Sequence, residues 1–180
     1  SVICIYNYIM LPQASFGISI LLGLVSWGIV VALYVWPALR CLPRADALRP
    51  LLVLHSFRFI GLAFIVPGVV SPDLPAAYAR PDAYGDLIAA VLALLALASL
   101  RTRFGSVMVW AFSLWGSADL VHAFYEGNQV GLPYQAGRLG STYFLVTFVV
   151  PLLLITHGLI FRLLLRNDDA TAARESRRAA

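Results

Sequence analysis

Five apolar runs, each of about 20 residues, constrain this chain more than any other feature of its sequence. The hydrocarbon core of a bilayer is about 30 Å thick, and roughly 20 helical residues cross it. No stretch alternates with the period of a strand, and helices satisfy their own backbone hydrogen bonds where water is absent. We therefore predict an all-α polytopic membrane protein, a bundle of five transmembrane helices over about 16–39, 51–70, 83–100, 106–126 and 141–165.

The composition supports a membrane protein and excludes most soluble classes. Hydrophobic residues make up 61% of the chain and charged residues only 12%, against roughly half and a quarter in soluble domains. The net charge of +4 does not indicate nucleic-acid binding, because the arginines lie in short segments between apolar runs. The chain contains no lysine and is rich in Ala, Leu, Gly and Pro, which indicates GC-rich coding. We expect a multi-pass protein of the bacterial cytoplasmic (inner) membrane, with the lipid bilayer as its solvent and no nucleic-acid partner.

Arginines between the spans predict the orientation of the bundle. Positive residues accumulate in cytoplasmic loops. The loops between spans one and two and between spans three and four are rich in arginine, as is the C-terminal tail, whereas the other two loops hold one arginine each. This pattern places the N-terminus outside and the C-terminus in the cytoplasm.

The predicted transmembrane domain covers residues 10–165. Residues 1–9 differ in amino-acid composition from the rest of the chain, so we interpret them as a non-native or start-site extension before Met10. We expect residues 166–180 to be a short polar cytoplasmic tail. Two cysteines, Cys4 and Cys41, are too few for a disulfide framework. The proline-rich segment 71–86 is expected to be a loop, with Asp86 as the N-cap of a third span that has no ionisable side chain.

Two histidines and two arginines form the first candidate site. His55 and His157, on spans two and five, each lie about 6 Å from the cytoplasmic edge, and Arg58 about 10 Å from it, at 1.5 Å per residue. Ionisable groups inside a membrane are costly and mark function by default. The imidazoles could bind haem b or a quinone, with Arg58 and Arg162 pairing with haem propionates. The alternative is that each histidine only hydrogen-bonds a neighbouring helix.

A polar stripe on span four is the second candidate. Trp115, Asp119, His122 and Glu126 fall at i, i+4, i+7 and i+11, on one side of a helix that opens outward. Asp119, His122 and Glu126 are the candidate catalytic or proton-relay groups. One helix supplies too few ligands for a closed metal site, so no metal is predicted. Asp119 could instead pair with Arg58, but counting residues separates the two by about 10 Å of depth, so that pair requires helix tilt or a bridging water.

The stretch HAFYEG, residues 122–127, resembles the H-x-x-x-E-G of the sterol isomerase and sigma-2 receptor membrane family. The match covers six residues, falls on the fourth span rather than an early one, and leaves that family's other acidic positions without a counterpart. No function is inferred from it.

No phosphate loop, HExxH, C-x-x-C or nucleophile elbow occurs, so hydrolytic chemistry lacks support. We expect a small membrane protein that binds a hydrophobic ligand or cofactor between helices two, four and five, rather than an enzyme. The alternatives are a small-molecule or proton transporter that uses Arg58, Asp119 and His122, an enzyme acting on a lipid, and a scaffold in a homo-oligomer or larger membrane complex.

Overall fold

The computed structural model describes residues 12–166, and five helices dominate it. The predicted extension 1–9, Met10, Cys4 and all of the tail beyond Arg166 lie outside the described residues. A 3₁₀ segment, Leu132–Thr142, connects the last two long helices. We number the long helices α1 (Gln13–Leu39), α2 (Arg44–Ile65), α3 (Ala76–Ser99), α4 (Gly105–Gln129) and α5 (Leu145–Leu164).

All five helices are long and apolar enough to cross a membrane. Their outer surfaces carry large apolar side chains, and on α1 Leu21, Leu22 and Leu33 are each more than half exposed. Soluble proteins rarely expose contiguous apolar surface on this scale, whereas lipid accommodates it. The prediction of an all-helical chain with five helices of membrane-spanning length is confirmed.

Helix α3 begins earlier than predicted, and this changes its chemistry. It starts at Ala76 and contains Pro81, so most of the segment taken for a loop is helix. Asp82 and Asp86 therefore lie inside α3, and the prediction that Asp86 caps the helix was wrong. Pro81 is the sixth residue of α3, and since proline has no backbone N–H, the helix lacks the hydrogen bond that this position would donate to the carbonyl of Ala77. The third span is thus not free of ionisable side chains.

Helix α2 also begins earlier than predicted, at Arg44 instead of residue 51. The polar stretch that follows Pro43 is part of the helix. Seven additional residues move Arg58 about 10 Å deeper at 1.5 Å per residue. Arg58 and Asp119 each lie 14 residues beyond the first residues of their helices, Arg44 and Gly105. The depth difference calculated from the sequence therefore disappears.

Two prolines are accommodated by π-helical turns rather than by breaks. Val31–Val35 precedes Pro37 in α1, and Leu145–Val149 precedes Pro151 in α5. A proline cannot donate to the carbonyl four residues earlier, and a π turn redistributes the hydrogen bonds around that position.

The core of the bundle has two apolar regions with polar residues between them. One region lies at the end of the bundle where α1 connects to α2 and α3 connects to α4, which we call the arginine-rich end. It includes Leu52, Phe112 and Ile160. The other lies at the opposite end and includes Phe64, Tyr78 and Leu139. Helix α3 packs closely on its neighbours through small residues that are fully buried: Ala89, Ala93 and Ala96.

Candidate functional site: a buried arginine, two carboxylates and two histidines

Arg58 is the centre of the polar cluster. It lies where α2 changes from α-helix to a 3₁₀ segment, Phe57–Ile65, and it is only 3% exposed. Its Nε donates to Asp86 Oδ1 at 2.7 Å, and its Nη2 donates to Asp119 Oδ2 at 2.6 Å. Its Nη1 donates to the carbonyl oxygen of Gly116 at 3.1 Å. One guanidinium thus ties α2 to α3 and α4.

The geometry explains how the cluster tolerates burial. A buried charge is costly unless it is paired and its hydrogen bonds are satisfied. The planar guanidinium presents several donors in a fixed fork, so it can serve two carboxylates and a carbonyl at once. The pairing of Asp119 with Arg58, weighed above as an alternative that needed tilt or water, is a direct contact.

Three glycines allow the helices to approach this closely. A Cβ added at Gly61 would lie 2.7 Å from Asp86 Cβ, and one at Gly85 would lie 2.7 Å from Asp119 Cγ. A Cβ at Gly116 would lie 2.7 Å from the His157 ring and 2.9 Å from Arg58 Nη1. Each of the three helices that form the ion pairs contributes one of these glycines.

The two histidines continue the cluster toward the arginine-rich end. The ring centroids of His55 and His157 are 4.3 Å apart, and Phe112 contacts both rings. The Thr156 hydroxyl donates to the Leu152 carbonyl, so it can accept a hydrogen bond from His55 Nε2 at 3.0 Å. His157 Nε2 lies 3.5 Å from Arg58 Nη1. The structure therefore brings together His55, His157 and Arg58 of the first candidate site.

This arrangement does not fit a haem held by both histidines. Two axial imidazoles bind the iron from opposite faces of the porphyrin, but these two rings are in direct contact and leave no space for a macrocycle between them. Arg162 does not join the histidines either, since its guanidinium lies over the Trp36 ring, 4.1 Å from the centroid. The first candidate site is thus a packed cluster of three of its four predicted members.

The stripe on α4 is divided between the interior and the surface. Asp119 points to Arg58, and Trp115 Nε1 donates to the Gly85 carbonyl at 3.4 Å. His122 is exposed, with its Nε2 3.7 Å from Glu126 Oε1. The structure therefore separates His122 and Glu126 from the buried ion pairs.

A cavity of about 360 Å³ lies beside the cluster, at the end of the bundle away from the arginines. Helices α1, α3, α4 and α5 line it, mostly with apolar side chains such as Phe16, Leu120 and Val146. Its polar lining includes Tyr78, Asn128 and the carboxylate of Asp82.

Asp82 connects this cavity to the ion-paired cluster. It lies one helical turn from Asp86 on the same side of α3. Among residues 12–166, Asp82 makes no hydrogen bond and no ion pair. A half-buried carboxylate without a donor is an unsatisfied acceptor, which a ligand donor could satisfy.

From the sequence we did not expect Asp82, Asp86 or the three glycines to belong to the site. The spacing of the two aspartates, i and i+4, would have placed them on one helical face, but the surrounding prolines indicated a loop. The glycines give no signal by themselves, since only the partner helix determines which of them faces a close contact.

In the part of the chain that the structure describes, no three His, Cys, Asp or Glu side chains lie close enough to hold a metal ion.

No curated protein and no solved structure matches the chain. A protein-family model matches residues 15–165, which is most of the length of the chain. The chain belongs to the family described as "Domain of unknown function (DUF8737)".

Proposed function

We propose that this protein binds a small amphiphilic molecule in the cavity beside the charged cluster, as a multi-pass protein of the bacterial inner membrane. The observation that carries the proposal is the carboxylate of Asp82, which has no described partner, in the wall of a cavity of about 360 Å³. Ligand cavities typically measure about 300–1,000 Å³ and combine apolar walls with a few polar groups. This pocket has that composition.

The pocket favours a ligand with an apolar body and a hydrogen-bond donor or a positive charge. The apolar walls match a hydrocarbon body, and Asp82 accepts from a donor. Arg58 already satisfies Asp86 and Asp119, so Asp82 is the carboxylate left for the ligand. Relative to the expectation from the sequence, the proposed site moves from helices two, four and five to α1, α3, α4 and α5.

The proposed orientation follows from the arginines. In the described part of the chain, Arg40, Arg44, Arg49, Arg101, Arg103, Arg162 and Arg166 belong to one end of the bundle, and Asp46 is the acidic residue at that end. With the arginine-rich end in the cytoplasm, the cavity lies in the outer half of the membrane. The ligand would then enter from outside or from the outer leaflet.

Three matched probes test the proposal: decylamine, decanol and decanoate, added to the protein in lipid nanodiscs. We expect decylamine to raise the thermal unfolding temperature most, and decanoate least, because Asp82 attracts a cation and repels an anion. Asp82→Asn should abolish the preference for the amine. Gly17→Leu should reduce the stabilisation by all three probes, because Gly17 lines the cavity and a leucine side chain there would fill part of its open space.

A matched control is Gly28→Leu, which lies on α1 away from the cavity and also meets open space. Equal responses from the wild type and Gly17→Leu would show that the probes act on the nanodisc or the outer surface. That result would overturn the proposal.

Proton conduction is the second candidate, and one observation favours it. Asp119, Arg58, His157 and His55 form a continuous series of contacts along the bundle. Apolar residues, among them Leu52 and Leu163, fill the core on the arginine-rich side of His55. Conduction would therefore require water to enter that region. Proteoliposome flux that is unaffected by Asp119→Asn would remove this candidate.

The remaining alternatives make different predictions. An enzyme acting on a lipid would change the membrane lipid profile when the gene is deleted, with Asp119 and His122 as acid and base. A scaffold in a homo-oligomer or larger membrane complex would tolerate substitution of Asp82, provided that the helix contacts survive.

A further inference from the structure

The cavity beside Asp82 contains a second polar group, the hydroxyl of Tyr78. Tyr78 is only 3% exposed, and it lines the cavity one helical turn before Asp82 on α3. Residues four apart lie on the same face of a helix, so the hydroxyl and the carboxylate belong to one wall. Within residues 12–166 the hydroxyl makes no hydrogen bond. A buried hydroxyl without a partner is costly, and a ligand could satisfy it.

Helix α4 supplies a third polar group close to Tyr78. The Tyr78 ring lies edge-on to Phe64, with centroids 5.7 Å apart, and a Cβ added at Gly127 would lie 3.5 Å from Tyr78 Cε2. Asn128, which follows Gly127, also lines the cavity. Its Nδ2 donates to the Phe124 carbonyl at 3.0 Å, which leaves its side-chain carbonyl oxygen as an acceptor.

The polar lining therefore offers acceptors more than donors. Asp82, Tyr78 and Asn128 each present an oxygen, and no arginine or histidine of the described chain lines this cavity. A primary ammonium carries three N–H donors and no acceptor, as the lysine side chain does. A trimethylated ammonium carries the same charge but no donor, so it would leave the carboxylate and the hydroxyl without hydrogen bonds.

Two aromatic residues of the lining, Phe16 and Phe124, favour a competing ligand. Quaternary ammonium groups are bound by aromatic side chains through cation–π contacts. A hydrogen bond that involves a charged group contributes more than a cation–π contact at an exposed site. The oxygens of Asp82 and Tyr78 therefore favour the primary ammonium.

The volume of the cavity limits the hydrocarbon part of the ligand. A water-sized group occupies roughly 30 Å³ in a liquid, so a cavity of about 360 Å³ holds roughly 12 non-hydrogen atoms. An ammonium group with one chain of about ten carbons fills that space. A lipid with two long chains does not fit inside it.

We propose that the ligand of this cavity is a single-chain primary amine, whose ammonium group donates to Asp82, Tyr78 and Asn128. The inference rests on the proposed function, since it names the class of molecule that is bound at the same site. Selectivity then depends on the N–H donors of the ligand as well as on its charge.

Four decyl probes that carry one positive charge at neutral pH test the role of the N–H donors: decylamine, N-methyldecylamine, N,N-dimethyldecylamine and decyltrimethylammonium. Isothermal titration calorimetry in phosphatidylcholine nanodiscs measures the affinity for each, with empty nanodiscs as the blank. We expect affinity to fall with each added methyl group, and decylamine to bind at least about tenfold more tightly than decyltrimethylammonium. One hydrogen bond to a charged group contributes about that factor.

Tyr78→Phe removes the hydroxyl and retains the ring that packs on Phe64. This variant should bind decylamine about tenfold more weakly and decyltrimethylammonium as the wild type does. Tyr84→Phe is the matched control, because Tyr84 is an exposed tyrosine of α3 that does not line the cavity. The comparison of variants with the same probe cancels the partitioning of that probe into lipid.

Equal affinities for the four probes would mean that Asp82 acts through its charge alone. That result would overturn this inference and leave the proposed function intact. Tighter binding of decyltrimethylammonium would also overturn it, and would assign the selectivity to the aromatic residues. If none of the four probes binds, the proposed function itself fails.

Discussion

At the scale of single residues, Arg58 is a buried cation that pairs with two carboxylates at once. Its two carboxylate partners lie on different helices, with side chains 17% and 11% exposed. Removal of one partner from a buried ion pair leaves an uncompensated charge and costs about 3–5 kcal/mol. Here a single substitution would leave two carboxylates without their cation.

We therefore expect Arg58→Met to destabilise the protein by about 3–5 kcal/mol, measured by denaturant unfolding in detergent. Arg58→Lys should recover only part of this, because one ammonium cannot reproduce the fork that reaches Asp86, Asp119 and the Gly116 carbonyl. Arg80→Ala, at an exposed position, is the control and should change stability little.

A triple variant separates charge compensation from packing. Arg58→Met with Asp86→Leu and Asp119→Leu removes all three charges, and buried ionic groups replaced by apolar ones are often no less stable. We expect it to be more stable than Arg58→Met alone. A triple variant as unstable as the single one would mean that packing around the guanidinium, not its charge, stabilises this region.

The histidine pair leads to a spectroscopic prediction at the same scale. Because the rings of His55 and His157 contact each other, protein expressed in a haem-replete host should show no Soret band in a reduced-minus-oxidised spectrum. Soret and α bands that disappear in both His55→Ala and His157→Ala would contradict this. They would show that the pair opens to admit a haem.

At the scale of helices, the close approach of α2, α3, α4 and α5 depends on glycines at the contact positions. Gly116 on α4 faces His157 on α5 and Arg58 on α2. Added atoms in a packed region force neighbouring side chains from their preferred rotamers.

Gly116→Ala should therefore destabilise the bundle by about 1–3 kcal/mol, although alanine is the better helix former. Gly158→Ala on α5 is the matched control, because a Cβ there meets nothing within 4 Å. Its stability should equal or slightly exceed that of the wild type. Thermal unfolding of both variants in the same detergent measures the difference, and equal stabilities would mean that the helices can separate at Gly116 without cost.

At the scale of the whole molecule, the proposed orientation can be tested at one native thiol. Cys41 is exposed and follows α1 at the arginine-rich end. In a Cys4→Ser background, a membrane-impermeant maleimide should label Cys41 in inverted vesicles and leave it unlabelled in intact cells. Labelling from the outside would reverse the proposed orientation, and would place the Asp82 cavity in the cytoplasmic half of the membrane.

The sequence alone was sufficient to predict the helical class and the five long apolar helices, because hydrocarbon length and backbone hydrogen bonding leave few alternatives. It also located four polar residues that the structure brings into one cluster, because ionisable residues inside apolar runs are conspicuous: His55, Arg58, Asp119 and His157. Helix starts were less well predicted. The prolines of segment 71–86 indicated a loop, but the chain continues through Pro81 as helix.

Only the tertiary structure decided which of these groups meet. The pairing of Arg58 with Asp86 depends on how far α3 extends past Pro81, and its contact with Asp119 depends on where α2 begins. The cavity beside Asp82 is formed by four helices whose packing no local pattern records. Composition and periodicity determine how each segment lies relative to water and lipid, whereas the partners of a buried charge depend on contacts between segments distant in sequence.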